Sequence, residues 1–270
     1  QDSAVAYGGE NSPGVQAITE LYNGTNWTEV NNLNTARRSF GSAGTATSAI
    51  AAANHPPAGA LTELWNGTNW TEVNDMNTGR SQLAAAGADN TAVLAMGGST
   101  ALANTENWNG TNWTEVNDLN TGRRGLGAVG TPSAALAFTG QDPAPGYIAD
   151  TELWNGTNWT EVNNMNTARE QISEAGISTS AIGFGGDENP PPVNSAKTEE
   201  WNGTNWTETS DLNTGRYYAG GNGTASSALM SGGKNPGVTA VTEEWTGAGA
   251  AVGAWTTGGN LNTARYDAGA

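Results

Sequence analysis

The chain has 270 residues, a formal net charge of −16 and no cysteine. The acidic balance disfavours nucleic acid and anionic membranes as partners, because both carry negative charge. The lack of cysteine excludes disulfides, thiolate metal sites and thiol nucleophiles. No apolar run approaches the roughly 18 residues that a spanning helix needs, so we expect no membrane insertion.

One motif, Trp-Asn-Gly-Thr-Asn-Trp-Thr-Glu-Val, recurs along the chain. Copies begin at Tyr22, which replaces the first Trp, and at Trp65, Trp108, Trp154 and Trp201, and a degraded sixth copy runs from Trp245 to Trp255. Each copy is followed by Asn-Thr-(Ala/Gly)-Arg, and these arginines are spaced by 43, 43, 46, 47 and 49 residues. A period in this range predicts a repeat architecture. Because the repeats fill the chain, we predict a single domain over residues 1–270.

The third repeat shows the predicted elements in chain order. Residues 81–87 are small, 91–98 are apolar and end at a glycine pair, and 104–108 and 112–116 flank Asn109-Gly110. We name the four predicted strands A, B, C and D. The Asn-Gly pair predicts a tight C–D hairpin in which both residues have positive φ. No window shows the helical period, so each repeat is predicted as four short antiparallel strands.

The two termini together supply one more set of four strands. Residues 266–270 form a lone strand A after the last repeat arginine, whereas residues 3–9 form a strand B that leads into C and D. Four-stranded repeats of this length are typical of β-propeller blades. We therefore predict an all-β, six-bladed propeller of four-stranded antiparallel blades, closed by an innermost C-terminal strand that pairs with the N-terminal strands.

The order of residues within each repeat also matches a known pattern. An arginine precedes strand A, a glycine pair ends strand B, and an acidic residue and two aromatic residues mark strands C and D. The glycine pairs are Gly8-Gly9, Gly97-Gly98, Gly185-Gly186 and Gly232-Gly233, and Ala53-Asn54 and Thr139-Gly140 replace the pair in two repeats. This order resembles the kelch repeat over essentially the whole chain. The resemblance implies a propeller that serves binding in many proteins and catalysis in few.

Two recurring charged positions predict a structural rim of ion pairs. The arginines are Arg37, Arg80, Arg123, Arg169, Arg216 and Arg265, and the glutamates that open strand C are Glu20, Glu63, Glu106, Glu152, Glu199 and Glu243. Strand direction places both sets at the same edge of the blades, and one-for-one matching favours pairs that hold the D–A connections. The alternative is a ring of arginines that binds an anionic ligand.

The aromatic pairs have two interpretations as well. The pairs are Tyr22/Trp27, Trp65/Trp70, Trp108/Trp113, Trp154/Trp159 and Trp201/Trp206. Large apolar groups at the same position of every repeat favour packing between blades. The alternative is a ring of aromatic faces that stack on sugars.

The stretches between strands B and C are the variable part of the repeats. Strand direction places them on the same face as the D–A connections, and loops on a rigid frame are frequent recognition sites. The candidate binding residues are His55, Pro56, Asp142, Tyr147, Ile148, Asp187, Glu188, Asn189, Lys234 and Asn235. Among them, Tyr147 and Ile148 are the apolar pair expected to be most exposed. Neutral drift of unimportant loops is the competing explanation.

No catalytic, cofactor-binding or metal-binding residue is predicted. His55 is the only histidine and has no recurring partner, and Asp187-Glu188 lacks the spacing of a calcium loop. No phosphate-binding or dinucleotide-binding motif stands in a fitting context. We therefore expect no enzyme activity and no cofactor; a propeller oxidase is the weakest alternative.

The Trp-Asn-Gly-Thr-Asn-Trp core also resembles repeat proteins encoded by marine bacteriophages, which implies a virion component. We expect a non-enzymatic structural and adhesive protein on a virion surface or in another extracellular location. Its variable B–C loops would contact other virion or surface proteins, or a host receptor or glycan. The alternative is a lectin-like propeller with repeated carbohydrate sites between the blades.

Overall fold

The computed structural model describes residues 3–55, 57, 59–144, 146–188, 193–247 and 253–270. Regular structure in these ranges consists of β-strands alone. A search of the same ranges finds no helix with the length and apolar character needed to cross a membrane. The sequence explains this composition, because its apolar runs are short, end at glycines or Asn-Gly turns, and have no helical period.

The strands fall into six blades. Blade 1 contains β1 (Ala4–Tyr7), β2 (Glu10–Asn11), β3 (Gly14–Val15), β4 (Thr19–Tyr22) and β5 (Trp27–Glu29). Blade 2 contains β6 (Gly41–Thr45), β7 (Ser48–Asn54), β8 (Gly59–Trp65) and β9 (Trp70–Val73). Blade 3 contains β10 (Ala84–Asp89), β11 (Ala92–Met96), β12 (Thr105–Trp108) and β13 (Trp113–Glu115).

The second half of the chain continues the pattern. Blade 4 contains β14 (Gly127–Thr131), β15 (Ala134–Phe138), β16 (Thr151–Trp154) and β17 (Trp159–Val162). Blade 5 contains β18 (Ser173–Ile177), β19 (Ser180–Phe184), β20 (Asp187–Glu188), β21 (Val193–Asn194), β22 (Thr198–Trp201) and β23 (Trp206–Glu208). Blade 6 contains β24 (Gly220–Thr224), β25 (Ser227–Ser231), β26 (Lys234–Asn235), β27 (Gly237–Val238), β28 (Thr242–Thr246) and β29 (Ala254–Thr257).

Each blade is an antiparallel sheet whose A strand lies nearest the axis. In blade 2, for example, the hydrogen-bonded order is β6-β7-β8-β9. The A strands of successive blades pack against one another around a central channel. Three B–C stretches add a small two-stranded hairpin each, β2-β3, β20-β21 and β26-β27, which the sequence analysis did not predict. The predicted fold class is confirmed.

The C-terminal segment completes blade 1. Tyr7 N–H donates to the Gly269 carbonyl oxygen at 3.0 Å, and Gly269 N–H donates to the Tyr7 carbonyl oxygen at 2.9 Å. Glu10 and Tyr266 exchange a second such pair of bonds at 2.8 and 2.9 Å. The last residues of the chain are therefore the innermost element of the N-terminal blade, as predicted, and the ring closes.

Six hydrophobic clusters fill the wedges between neighbouring blades. In each, apolar residues of one blade pack against the aromatic pair of the next, as Ala43, Ile50 and Ala52 of blade 2 pack with Trp108 and Trp113 of blade 3. Small residues allow the sheets to approach, and the indoles fill the remaining space.

Two local predictions were wrong. Strand A of the third repeat was expected over 81–87, but β10 begins at Ala84, because Gln82 has φ +55° and a residue in that region cannot continue a strand. The C–D turn was expected to place positive φ at both Asn and Gly. Only Gly110 has it, at +89°, and the Asn109 side chain instead accepts hydrogen bonds from the N–H groups of Thr111 and Asn112 at 3.0 and 2.9 Å.

Candidate functional site

The structure brings the six repeat arginines and the six strand C glutamates together, one for one. The side chains of all six pairs are at most 1% exposed, and in five pairs the N···O distance is 2.5–3.0 Å. Glu106 shows the full set of partners, since it also accepts hydrogen bonds from the N–H groups of Asn77 and Thr78 and from Asn77 Nδ2. Each glutamate thus binds the connection that enters its blade. At this exposure the arginines are closed to a dissolved anion.

The aromatic pairs are buried as well. Ring centroids within a pair are 5.1–5.5 Å apart, and every tryptophan is at most 6% exposed. The second indole of each pair reaches the preceding blade: Trp113 Nε1, for example, donates to Thr62 Oγ1 at 3.0 Å. These indoles join blades to one another and offer no face to a sugar in solution.

One face of the propeller carries the variable side chains. This mouth face is formed by the D–A connections and the B–C stretches, and the turn face by the A–B and C–D turns. On the mouth face, backbone hydrogen bonds join the first residue of each B–C stretch to the residue that follows a repeat arginine. The pairs are Glu10/Tyr266, His55/Arg38, Ser99/Ser81, Gln141/Arg124, Asp187/Glu170 and Lys234/Tyr217.

The next residue of each connection forms an inner ring around the channel entrance. Its members are Ser39, Gln82, Gly125, Gln171, Tyr218 and Asp267, and all six have a left-handed backbone with φ of 54–59°. Five backbone N–H···O=C bonds of 2.7–3.3 Å link successive members. The sixth link uses the Asp267 carboxylate, which accepts from Ser39 Oγ and Ser39 N–H. Five non-glycine residues in this region are costly, and such strain is typical of functional sites.

We call these eighteen residues, the six pairs and the inner ring, the mouth. Sequence analysis identified only part of it, through the B–C stretches, and missed the two residues after each arginine. A signal for them was present, since aligning the six repeats on the arginine shows a different pair of residues after it in every copy: Arg-Ser, Ser-Gln, Arg-Gly, Glu-Gln, Tyr-Tyr and Tyr-Asp.

Most of the positively charged side chains that are not repeat arginines lie at the mouth. The sequence has ten Lys and Arg residues, and six of them are the buried repeat arginines. Of the remaining four, Arg38, Arg124 and Lys234 lie at the mouth, and Lys197 lies beside it. Arg38 forms an ion pair with Glu10, Arg124 Nε donates to Gln141 Oε1 at 2.8 Å, and Lys234 Nζ lies 4.6 Å from the Tyr266 ring centroid.

A cavity of about 400 Å³ occupies the side of the mouth between blades 6, 1 and 2. Three tyrosines border it, with ring centroids 4.9 Å apart for Tyr217 and Tyr218 and 5.8 Å apart for Tyr218 and Tyr266. Burial raises the pKa of Tyr266 to about 12, and burial raises the pKa of the Asp267 carboxyl to about 6. The tyrosines are therefore neutral hydroxyl donors at physiological pH.

The candidate loop residues have different positions. His55, Asp187 and Lys234 belong to the mouth. Glu188 lies outside it in an ion pair of 3.0 Å with Lys197, and Asn235 Oδ1 accepts from Asn194 at 2.9 Å.

Tyr147 and Ile148 were expected to be the most exposed apolar pair, and this was wrong. Both are only partly exposed, because the loop folds back and Tyr147 Oη donates to Asp187 Oδ2 at 2.9 Å. Asp142 is partly exposed at the start of the same loop. Pro56 and Asn189 lie outside the described residues.

The central channel lies below the inner ring. Its cavity of about 470 Å³ is lined mostly by Ala, Gly, Ser and Thr of the A strands. Glu174 is an exception, since Ser42, Ala85, Ala128 and Gly221 occupy its position in blades 2, 3, 4 and 6. Its carboxylate accepts from Ala128 N–H, and burial raises its pKa to about 8. Ser39, Gln82, Tyr218 and Asp267 line both cavities, so the inner ring separates the mouth from the channel.

Comparison with known proteins supports the fold alone. The sequence matches no protein-family model, and no curated protein matches it in sequence. Solved structures have folds similar to that of this chain. One of them, described as "Structure of YjhT", matches 87% of this chain and 87% of its own, with a TM-score of 0.69 and 11% sequence identity. The chain is thus a six-bladed β-propeller, and at this identity the likeness carries no information on activity.

Proposed function

We propose that this propeller is a non-enzymatic binding protein that recognises its partner with the mouth. The observation that carries the proposal is the contrast within each repeat. Six backbones have the same left-handed conformation at the inner ring, while the residues there are Ser, Gln, Gly, Gln, Tyr and Asp, and no two blades share the same pair of residues after the repeat arginine. Recognition sites commonly consist of variable side chains on loops that a rigid scaffold holds close together.

Three of the four acidic groups of the mouth are engaged by neighbouring side chains, which supports binding over catalysis. Asp267 is engaged by Ser39, Asp187 by the Tyr147 hydroxyl, and Glu10 by Arg38. A general acid or base must reach a proton of the substrate. Carboxylates held by neighbouring side chains are better suited to orient polar groups around a ligand.

We further propose that the chain is a kelch-type repeat protein displayed on a virion or cell surface. The kelch resemblance gains support from the backbone, because the first residue of the Gly-Gly position is left-handed even where the sequence departs. Ala53 and Thr139 stand there with φ of +71° and +56°. The likeness to marine bacteriophage repeat proteins supports the virion, where the turn face would remain for attachment. The enlarged loop within 246–254, a sequence-based candidate for that contact, lies largely outside the described residues.

Carbohydrate recognition at repeated sites between the blades has less support. It would require the aromatic pairs to present their faces to solvent, and these rings are buried.

Binding to intact cells tests the proposed function. Fluorescently labelled chain is incubated with cells of candidate hosts, and the bound chain is measured by flow cytometry. The double variant Arg38→Ala/Lys234→Ala removes two mouth cations, and Thr131→Ala on the turn face is the control. We expect the double variant to bind at least about tenfold less and the control to bind normally. Equal binding by all three chains would contradict the proposal.

A further inference from the structure

We infer that the mouth holds one saccharide-binding site per chain, between blades 6, 1 and 2, built on Tyr217, Tyr218 and Tyr266. The inference rests on the proposed function, because it names the ligand class of the same surface. It differs from repeated sites between blades in both position and number.

The distribution of aromatic residues singles out this part of the mouth. All tryptophans and phenylalanines of the chain are buried, as are Tyr7 and Tyr22. The four partly exposed aromatic side chains are tyrosines on the mouth face, and three of them border the same cavity. Rings that present an apolar surface and a hydroxyl suit the mixed C–H and O–H surface of a sugar.

Unpaired polar atoms point to a ligand rich in hydroxyl groups. Among the described residues, Arg38 Nε and His55 Nδ1 are buried without a hydrogen-bond partner, and both residues line the cavity. Gln171 Nε2, in the inner ring, is also buried without a hydrogen-bond partner. Buried polar atoms normally have partners. A hydroxyl can both accept from the arginine and the amide and match either form of the imidazole.

The shape of the cavity fits a small ligand. Its volume of about 400 Å³ lies within the range of small-molecule sites, and the hydrogen-bonded inner ring forms its floor. The end of a glycan chain can enter such a space from solvent, whereas a folded protein surface cannot.

Two observations disfavour other ligand classes. The large apolar side chains that are exposed in the described residues, Ile177 and Val193, do not line this cavity, so a peptide finds no large aliphatic side chain to contact there. Arg38 is paired with Glu10, and the Asp267 carboxylate lines the same cavity as Lys234. This balance of charge does not favour a polyanion.

A glycan array followed by calorimetry tests the inference. The intact chain is applied to an array of neutral and acidic oligosaccharides, and its best ligand is titrated calorimetrically. Tyr217→Ser and Tyr266→Ser alter the cavity, and Ile177→Ser, which shortens an exposed side chain on the turn face, is the control. Melting temperatures show whether each variant folds, and Lys234→Ala replaces any tyrosine variant that does not. We expect one sugar per chain, a loss of about tenfold or more in the cavity variants, and no loss in the control.

Three results would overturn the inference: an array without binding, about six equivalent sites, or unchanged affinity in the cavity variants. If the array shows no binding while the cell assay still depends on Arg38 and Lys234, the saccharide class is wrong and the proposed function stands. The partner then belongs to another chemical class. If the cell assay is insensitive to the mouth, the proposed function itself is wrong.

Discussion

The turn face and the mouth face are built from the same six repeats, yet they use them in opposite ways. On the turn face, five Asn-Gly-Thr-Asn turns repeat both sequence and geometry, with glycine φ of 88–91°. On the mouth face, the inner ring repeats the geometry, with φ of 54–59°, but its six positions hold five different residue types. We therefore assign recognition to positions where only the backbone conformation repeats, and a structural role to positions where both the backbone conformation and the side chain repeat.

The largest expected difference in unfolding free energy is between variants of two adjacent arginines. Arg123→Met should destabilise the chain by about 3–5 kcal/mol, because it leaves the buried Glu152 carboxylate without its partner. Arg124→Met removes a partly exposed mouth residue and should cost less than about 1 kcal/mol. Chemical denaturation measures both values. Equal losses would show that frame and mouth are not distinct.

The next effect concerns the channel, where Glu174 interrupts a lining of small residues. Burial raises its folded pKa to about 8, whereas the unfolded carboxyl titrates near 4.5, so unfolding releases a proton between these values. The stability of the wild-type chain should therefore fall as pH rises from 4.5 to 8. Glu174→Gln should lessen that fall, as measured by melting temperature across this range. Parallel pH profiles for the two chains would exclude the assignment.

A smaller effect is expected from the contacts between blades. The contact between blades 2 and 3 is an internal joint, and the contact between blades 6 and 1, where the ring closes, is the closing joint. Trp113 Nε1 donates to Thr62 across blades 2 and 3, but the equivalent atoms at blades 6 and 1, Trp27 Nε1 and Thr242 Oγ1, have no partner among the described residues. Trp113→Phe should cost about 1 kcal/mol more than Trp27→Phe, because only the former loses a hydrogen bond. Denaturant titration gives the difference. A larger cost at Trp27 would indicate that the closing joint carries the bond after all.

A different hydrogen bond between blades 6 and 1 compensates for the missing indole bond. Tyr22 Oη donates to Glu244 Oε1 of blade 6 at 2.5 Å, a bond that tryptophan at this position could not make. The replacement of Trp by Tyr in the first repeat therefore coincides with the joint that lacks the indole bond.

The smallest effect tests strain at the inner ring. Gln82→Gly should stabilise the chain by about 0.5 kcal/mol, because relief of the left-handed backbone exceeds the entropy cost of glycine. Gly125 already occupies the same ring position in blade 4. Thr160→Gly on an exposed strand D should instead destabilise by about 1 kcal/mol. Destabilisation of similar size at both positions would show that the ring is not strained.

The fold was predictable because its signals repeat. Blade number, strand count and terminal closure followed from six copies of one motif and from the position of Arg265 near the C-terminus. The pairing of Arg37 with Glu63 and its equivalents followed from their equal number and shared edge. The Asn109 turn was harder, because an asparagine side chain that accepts two backbone bonds and an asparagine with positive φ produce the same sequence.

The mouth was only partly predictable. The B–C stretches drew attention because their lengths vary, whereas the sequence analysis assigned no role to Tyr217 and Tyr218. Nothing local to Gln82 or Tyr218 predicts a left-handed backbone, since neither residue type favours it. The cause is tertiary: each inner-ring N–H bonds to the neighbouring blade, and only the closed ring of six makes that geometry necessary.

Transfer of one blade's mouth sequence to the others tests the division between frame and mouth most directly. Blade 3 carries Ser81-Gln82. The transfer leaves Gly125 in place and consists of Arg38→Ser, Ser39→Gln, Arg124→Ser, Glu170→Ser, Tyr217→Ser, Tyr218→Gln, Tyr266→Ser and Asp267→Gln. We predict a cooperatively folded chain whose unfolding free energy stays within about 2 kcal/mol of wild type but which no longer binds cells. A chain that fails to fold, or one that folds and binds as before, would contradict that division.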